Sequence, residues 1–208
     1  MSSTSVYKID ERNIQKGITS RFDQELFLLF TVVVAGKVAA QQTKKLADMF
    51  DDLLAENMIR EGNSPFDLLR SAENFGLLRF YLEKHKLGQY GRLANAFSLF
   101  IADTFDVCTC TVDDLEAISG VGMKTSRFFL SYTRPGTQYA ILDTHILAYM
   151  RDVMGINAPR STPQSSLYRA LEMAYLTHAA ELNRDPAELD LEIWREYSSR
   201  RRQTALAA

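Results

Sequence analysis

Lys124 and Asp143 are the side chains of this chain whose types and surroundings most readily suggest chemistry. Lys124 follows Gly120-Val121-Gly122-Met123 and falls in the first turn of a helix expected over about 123–132. A helix N-terminus disfavours a protonated amine, and partial burial adds to that effect. A neutral amine can attack a sugar carbon and hold it as a Schiff base. The plainer reading is a solvent-facing lysine beside a phosphate. Asp143 stands in Ile141-Leu142-Asp143-Thr144-His145-Ile146, where apolar residues lead in and the aspartate is placed to cap the next helix. A bare cap needs no catalytic explanation, but a carboxylate pinned by backbone amides is also a rigid charge suited to transition-state stabilisation. His145 is read as a structural histidine on the packed side of that helix.

The glycine turn before Lys124 supplies a second kind of chemistry. Thr111 is expected to cap a short helix carrying Leu115 and Ile118 on one face, and Gly120-Val121-Gly122 then turns the chain. Two glycines around one aliphatic residue leave backbone amides uncovered at a helix N-terminus, where an anion such as a phosphate is favoured. Val121 is expected to plug the junction, and Thr125 to join Gly120, Val121 and Gly122 in gripping phosphate. Such a site would hold DNA without reading its sequence.

The elements around these residues read as helices nearly throughout. Leu46, Phe50, Leu53, Leu54 and Met58 recur at helical spacing, as do Leu167, Leu171, Ala174, Tyr175, His178 and Leu182. Ser64-Pro65, Thr162-Pro163 and Asp185-Pro186 each place a capping side chain before a proline at a first helical position. Residues 138–142 are the one stretch expected to be briefly extended. The fold class is all-α, with about ten short helices. Residues 1–20 are expected to be held loosely, as are the last six, and 21–202 form one domain containing a hairpin motif over 112–132.

Composition bounds the function classes. The chain has 208 residues, 46% hydrophobic and 24% charged, ordinary for a globular protein. The apolar run over 26–36 stops at Lys37, short of the roughly 20 residues a bilayer span needs, so it is expected to be a buried helix and no membrane role is expected. No secretory signal is read at the N-terminus, so a cytoplasmic setting is expected. Cys108 and Cys110 are the only cysteines, whereas a cubane cluster would take four, and no metal site is expected. The net charge of −2 lends nucleic-acid binding no general support, so a local basic surface would have to serve.

Residues 115–130 followed by 142–146 resemble the helix-hairpin-helix and downstream Gly/Pro-Asp motif of base-excision DNA glycosylases. Ala140-Ile141-Leu142-Asp143-Thr144-His145-Ile146-Leu147 and Ala187-Glu188-Leu189-Asp190-Leu191-Glu192-Ile193-Trp194 are similar to the short 8-oxoguanine glycosylases, which have about this length and no iron–sulfur cluster. The resemblance implies two helical lobes with an active-site cleft between them. It further implies a bifunctional glycosylase and abasic-site lyase in which Lys124 is the nucleophile and Asp143 assists. No cofactor is required, although the resemblance implies a monovalent cation at the hairpin carbonyls. The expected partner is double-stranded DNA with a damaged base, bound by a monomer associated with the nucleoid.

Two rival readings remain: a related enzyme acting on another base or on abasic sites, and a non-catalytic DNA-binding module. Ser119 stands where the hairpin usually has proline, and Lys37 near where the short family carries asparagine. The short family ends on a lysine, where this chain has Arg200-Arg201-Arg202 and runs on to Ala208. Those arginines are read as phosphate contacts or a solvated tail. Lys37, Gln41, Gln42 and Trp194 are candidates for the base pocket or for a wedge filling the gap left by a flipped base, and Phe75 and Phe80 for stacking on it.

Overall fold

The computed structural model describes residues 5–56, 64–163 and 165–206, without the side chains of Ser165 and of 200–206. Among them are ten α-helices and no strand. The all-α class therefore holds. Contacts divide the chain into two compact units, Met1–Gly122 and Met123–Ala208. The division falls inside the stretch 112–132 read as one hairpin motif.

The first unit contains α1 (Arg21–Val33), α2 (Ala39–Ala55), α3 (Pro65–Asn74), α4 (Leu78–Lys84), α5 (Tyr90–Phe100) and α6 (Val112–Glu116). The apolar run predicted to be a buried helix is α1, whose residues from Gln24 to Val33 are all buried and which packs on α2, α3 and α5. Its buried Glu25 is used locally, with Oε2 accepting the Phe66 amide at 3.0 Å in the first turn of α3. Ser64 caps the same helix through the Asp67 amide, as the Ser-Pro pair predicts. On α2, Leu46, Phe50 and Leu53 are buried, Leu54 lies at the edge of the stripe, and Met58 lies outside the described residues. The N-terminal stretch expected to be loose has one firm anchor. Tyr7 is 1% exposed and stacks on Phe50 at 5.0 Å between centroids.

The second unit contains α7 (Met123–Thr133), α8 (Thr144–Asp152), α9 (Ser165–Glu181) and α10 (Pro186–Leu206), with α10 packed on α8 and α9. Leu142, Ile146, Leu147, Met150, Tyr168, Tyr175 and Ile193 build its core. The buried face of α9 runs through Tyr168, Leu171, Tyr175 and Ala179, while Leu167 and Leu182 are half exposed. The predicted stripe is thus offset at both ends. Tyrosine's ring carries the burial there, which an aliphatic count overlooks. Asp185 caps α10 by accepting the Ala187 and Glu188 amides at 2.9 and 3.1 Å. α9 runs from Ser165, and the Thr162 hydroxyl donates to the Leu142 carbonyl at 2.9 Å; residue 164, beside the Thr-Pro pair, lies outside the described residues.

Candidate active site

Residues 138–142 lead to Asp143 without forming a strand, and although the Ile141 carbonyl accepts the Asp143 amide, several other backbone groups here are satisfied by side chains. Glu172 Oε1 accepts the Ala140 amide at 3.1 Å. The Tyr168 hydroxyl donates to the Ala140 carbonyl at 2.7 Å and accepts the Leu142 amide at 3.2 Å. Thr162 holds the Leu142 carbonyl. Three side chains from 162–172 thereby fix the approach to Asp143. The Asp143 carboxylate is held as well, with Oδ1 accepting the His145 and Ile146 amides at 2.7 and 2.9 Å at the start of α8.

The same network reaches the helix that carries Lys124. Arg127, one turn further along α7, is 5% exposed and donates from Nε to both carboxylate oxygens of Glu172 at 2.9 and 3.0 Å. It also donates to the Met123 carbonyl at 3.2 Å, and its guanidinium lies over the Tyr168 ring at 4.9 Å. One buried arginine therefore ties the first turn of α7 to the carboxylate that holds Ala140. Its charge is desolvated but fully paired, the arrangement a buried ion pair requires.

Lys124 is half-buried and makes no ion pair among the described residues. Its charge and that of Asp143 both act on a third group, Asp190 on α10. Asp190 is 9% exposed and accepts no hydrogen bond among the described residues. Burial foremost, and then the neighbouring Asp143 charge, push its carboxyl well above the usual carboxylate range, while Lys124 pulls the other way. Sequence reasoning passed over this buried carboxyl. The available signal was a carboxylate at helical spacing from Ala187, Ile193 and Trp194, on the stripe of α10 that otherwise buries apolar side chains.

His145 is half-buried, and its ring meets Trp194 edge-on at 6.3 Å. Trp194, offered for a base pocket, is likewise half-buried and lies on the same helix as Asp190. A surface groove lined by Val153, Met154, Met173 and His178 contains none of these residues.

The glycine turn belongs to the first unit. Thr111 accepts the Asp114 amide at 3.3 Å and caps α6 in a reciprocal capping box. Leu115, Ile118 and Val121 are buried, as their aliphatic pattern predicts. Gly120 has φ +98°, and a Cβ there would stand 2.6 Å from Arg92 Cγ. Arg92 locks the turn by donating to the Gly120 carbonyl at 2.7 Å and to the Val32 carbonyl at 3.0 Å. Asn95 donates to the Ser119 carbonyl at 3.4 Å, and the Val121 amide is spent on the Ile118 carbonyl at 2.9 Å. That leaves the amides of Gly120 and Gly122 with no partner among the described residues, and of the two residues Gly122 is the exposed one. These carbonyls do not suit a bound monovalent cation, which would meet the Arg92 charge at Gly120.

The remaining candidates separate. Thr125 is 4% exposed, so its hydroxyl is withdrawn from solvent and is not presented to a phosphate. Gln41 is exposed, whereas Gln42 is 4% exposed and so is not presented as a wedge. Lys37 donates to the Leu87 carbonyl and, at 3.3 Å, to the Gly88 carbonyl. Burial, followed by the charges of Arg92 and Lys45, lowers its pKa. It pins a loop within the first unit. Phe75 and Phe80 are well exposed. Cys108 and Cys110 are free thiols. The side chains of Arg200, Arg201 and Arg202 lie outside the described residues.

Among the described residues no helix is long and apolar enough to cross a membrane, and no group of His, Cys, Asp and Glu is arranged to hold a metal. Comparison with protein-family models, with curated proteins and with solved structures gives no match.

Proposed function

We propose that this protein is a base-excision DNA glycosylase with abasic-site lyase activity, acting on 8-oxoguanine in double-stranded DNA as a monomer. The reading takes residues 112–132 as a helix-hairpin-helix that grips phosphate through the Gly120-Val121-Gly122 turn. The observation that carries it is that two groups of one unit both bear on the buried Asp190 carboxyl: Lys124, which makes no ion pair among the described residues, and Asp143, fixed by two amides. The Lys124 amine attacks the sugar carbon of the damaged nucleotide and the base departs with the glycosidic electron pair. The bond from that carbon to the ring oxygen then breaks, its pair leaving on the oxygen with a proton from the nitrogen, and the imine so formed permits β-elimination at the abasic site. Asp143 stabilises the positive charge that develops on the sugar.

The substrate follows from the resemblance to the short 8-oxoguanine glycosylases. 8-Oxoguanine carries a hydrogen on N7 where guanine has an acceptor. A backbone carbonyl facing that position accepts from the first and is left opposing a second acceptor by guanine. Trp194, half-buried and edge-on to His145 two residues after Asp143, is the aromatic side chain this reading offers to the purine.

Borohydride trapping on a duplex containing 8-oxoguanine tests the mechanism. The wild-type protein should form a covalent adduct, and Lys124→Gln should lose it while retaining DNA binding. Asp143→Asn keeps a good capping side chain, so its stability should change little while cleavage slows by about 10²-fold or more. An adduct of normal yield in Lys124→Gln removes the assignment. Faster excision of uracil, thymine glycol or an alkylated purine overturns the substrate and leaves the lyase mechanism standing.

A further inference from the structure

We infer that Lys37, Lys45, Lys86 and Arg92 form a second contact surface for the DNA backbone, in the first unit beside the glycine turn and indifferent to base sequence. This rests on the reading above for its partner, duplex DNA. It also locates the local positive charge that a chain of net charge −2 needs in order to hold a polyanion.

The cations are gathered by the loop between α4 and α5. Lys86, Gly88 and Gln89 in that loop have φ of +53°, +70° and +51°. The carbonyls of three successive residues there accept from two lysines of one stretch. Lys45 Nζ donates to the Lys86 carbonyl at 2.8 Å, and Lys37 Nζ to the Leu87 carbonyl and, at 3.3 Å, to that of Gly88. Four residues beyond Gly88, Arg92 donates to the Gly120 carbonyl at 2.7 Å and so joins the loop to the glycine turn. Lys86 itself is exposed, and its side chain bonds to nothing among the described residues.

The pairing of these cations sets them apart. A carbonyl orients an ammonium but leaves its charge whole. None of the four makes an ion pair among the described residues, whereas cations close by in sequence do. Lys44 pairs with Asp48 at 2.6 Å, Arg79 with Glu83 at 2.8 Å and Lys84 with Asp52 at 3.0 Å. Burial, and then the charges of Arg92 and Lys45, push the Lys37 amine down, as expected where like charges gather without a carboxylate. Val38 and Gln89, at the heads of α2 and α5, provide no side-chain cap, and those helix starts add to the same positive field. Like charges held together repel until an anion joins them. A strand of phosphates supplies one charge per cation and gains further from the counterions it releases. The link through Arg92 puts the glycine turn, read above as phosphate-binding, beside the same strand.

The test is equilibrium binding of a labelled lesion-free duplex, and of the same duplex carrying 8-oxoguanine, across about 0.05 to 0.2 M salt. Lys86→Gln should reduce the slope of log affinity against log salt by about 0.9, and weaken both duplexes on the order of 10-fold near 0.1 M salt. Lys45→Gln combined with Lys86→Gln should roughly double both changes on the logarithmic scale. Arg79→Gln alters the net charge as much as Lys86→Gln but removes a cation that Glu83 already matches, so the slope should stay as in the wild type.

An unchanged slope in Lys86→Gln overturns the inference, and so does an equal loss in Arg79→Gln, which would mean that net charge alone is at work. A loss confined to the 8-oxoguanine duplex overturns it too, since a backbone contact cannot sense the lesion. Should the double variant melt early by circular dichroism, Lys86→Gln alone decides. A wild type that binds both duplexes with the expected dependence on Lys86 but cleaves neither supports this surface and removes the glycosylase reading. A wild type that binds no duplex overturns both.

Discussion

Gly120 and Gly122 look equivalent in the sequence but have different tasks. Gly120 adopts φ +98° and has Arg92 Cγ where a methyl would go, so its lack of a side chain is a condition of the turn. A methyl group at Gly122 would meet nothing within 4 Å, and the amide of this residue is exposed, so the missing side chain keeps a donor accessible. Gly120→Ala should therefore lose about 1–3 kcal/mol of stability from backbone strain and the clash. Gly122→Ala should stay within about 0.5 kcal/mol of the wild type yet bind every duplex more weakly, damaged or not. Urea unfolding together with binding to lesion and lesion-free duplexes checks both. Equal stability losses at the two positions would show that Gly122 too is structural.

At the scale of elements, what the sequence revealed depended on how far apart the partners lie along the chain. Ser64, Thr111 and Asp185 announced helix starts because a cap and its amides are neighbours. Lys124 and Asp143 were likewise visible, each from the turn or helix head beside it. Arg127–Glu172 was not, since the two lie 45 residues apart and neither interrupts a local pattern. Thr162 carried a local signal for a cap, and nothing local announced the distant carbonyl to which its hydroxyl donates. Asp190 was hidden for a related reason, because its place on α10 becomes unusual only once the buried face of that helix is known.

The long-range ties carry their own prediction. Glu172→Ala strands a buried guanidinium and the Ala140 amide, and should cost about 3–5 kcal/mol. The pair Arg127→Met with Glu172→Leu removes both charges and should recover most of that loss. Both variants should slow cleavage, since the segment leading to Asp143 loses a support in each. Denaturant unfolding separates the effects, and a double variant no more stable than Glu172→Ala would mean that the ion pair itself stabilises the unit.

For the whole molecule, pH provides a test that engages both units at once. Each has a buried carboxyl held above its usual range, Glu25 in the first and Asp190 in the second, with burial as the leading cause in both. In an unfolded chain these groups titrate near the ordinary values of about 4.3 and about 3.9 respectively. Above those values and below the folded ones, the native state holds more protons than the unfolded state, so stability falls as pH rises. The slope is at most about 1.4 kcal/mol per pH unit for each group. Asp52 and Asp106 are shifted the opposite way by hydrogen bonds and cations, but their side chains are partly exposed and act below the ordinary carboxylate pKa, where solvent weakens them. The melting temperature should therefore decline from about pH 4.5 toward neutrality instead of rising over that interval. Glu25→Gln and Asp190→Asn should each flatten the decline. Trp194 is the only tryptophan and lies in the second unit, so its fluorescence follows the unit that holds Asp190, whereas circular dichroism follows helices of both. Asp190→Asn should flatten the Trp194 transition in particular. A transition equally steep in pH with and without Asp190 would show that its carboxyl is ionised in the folded protein.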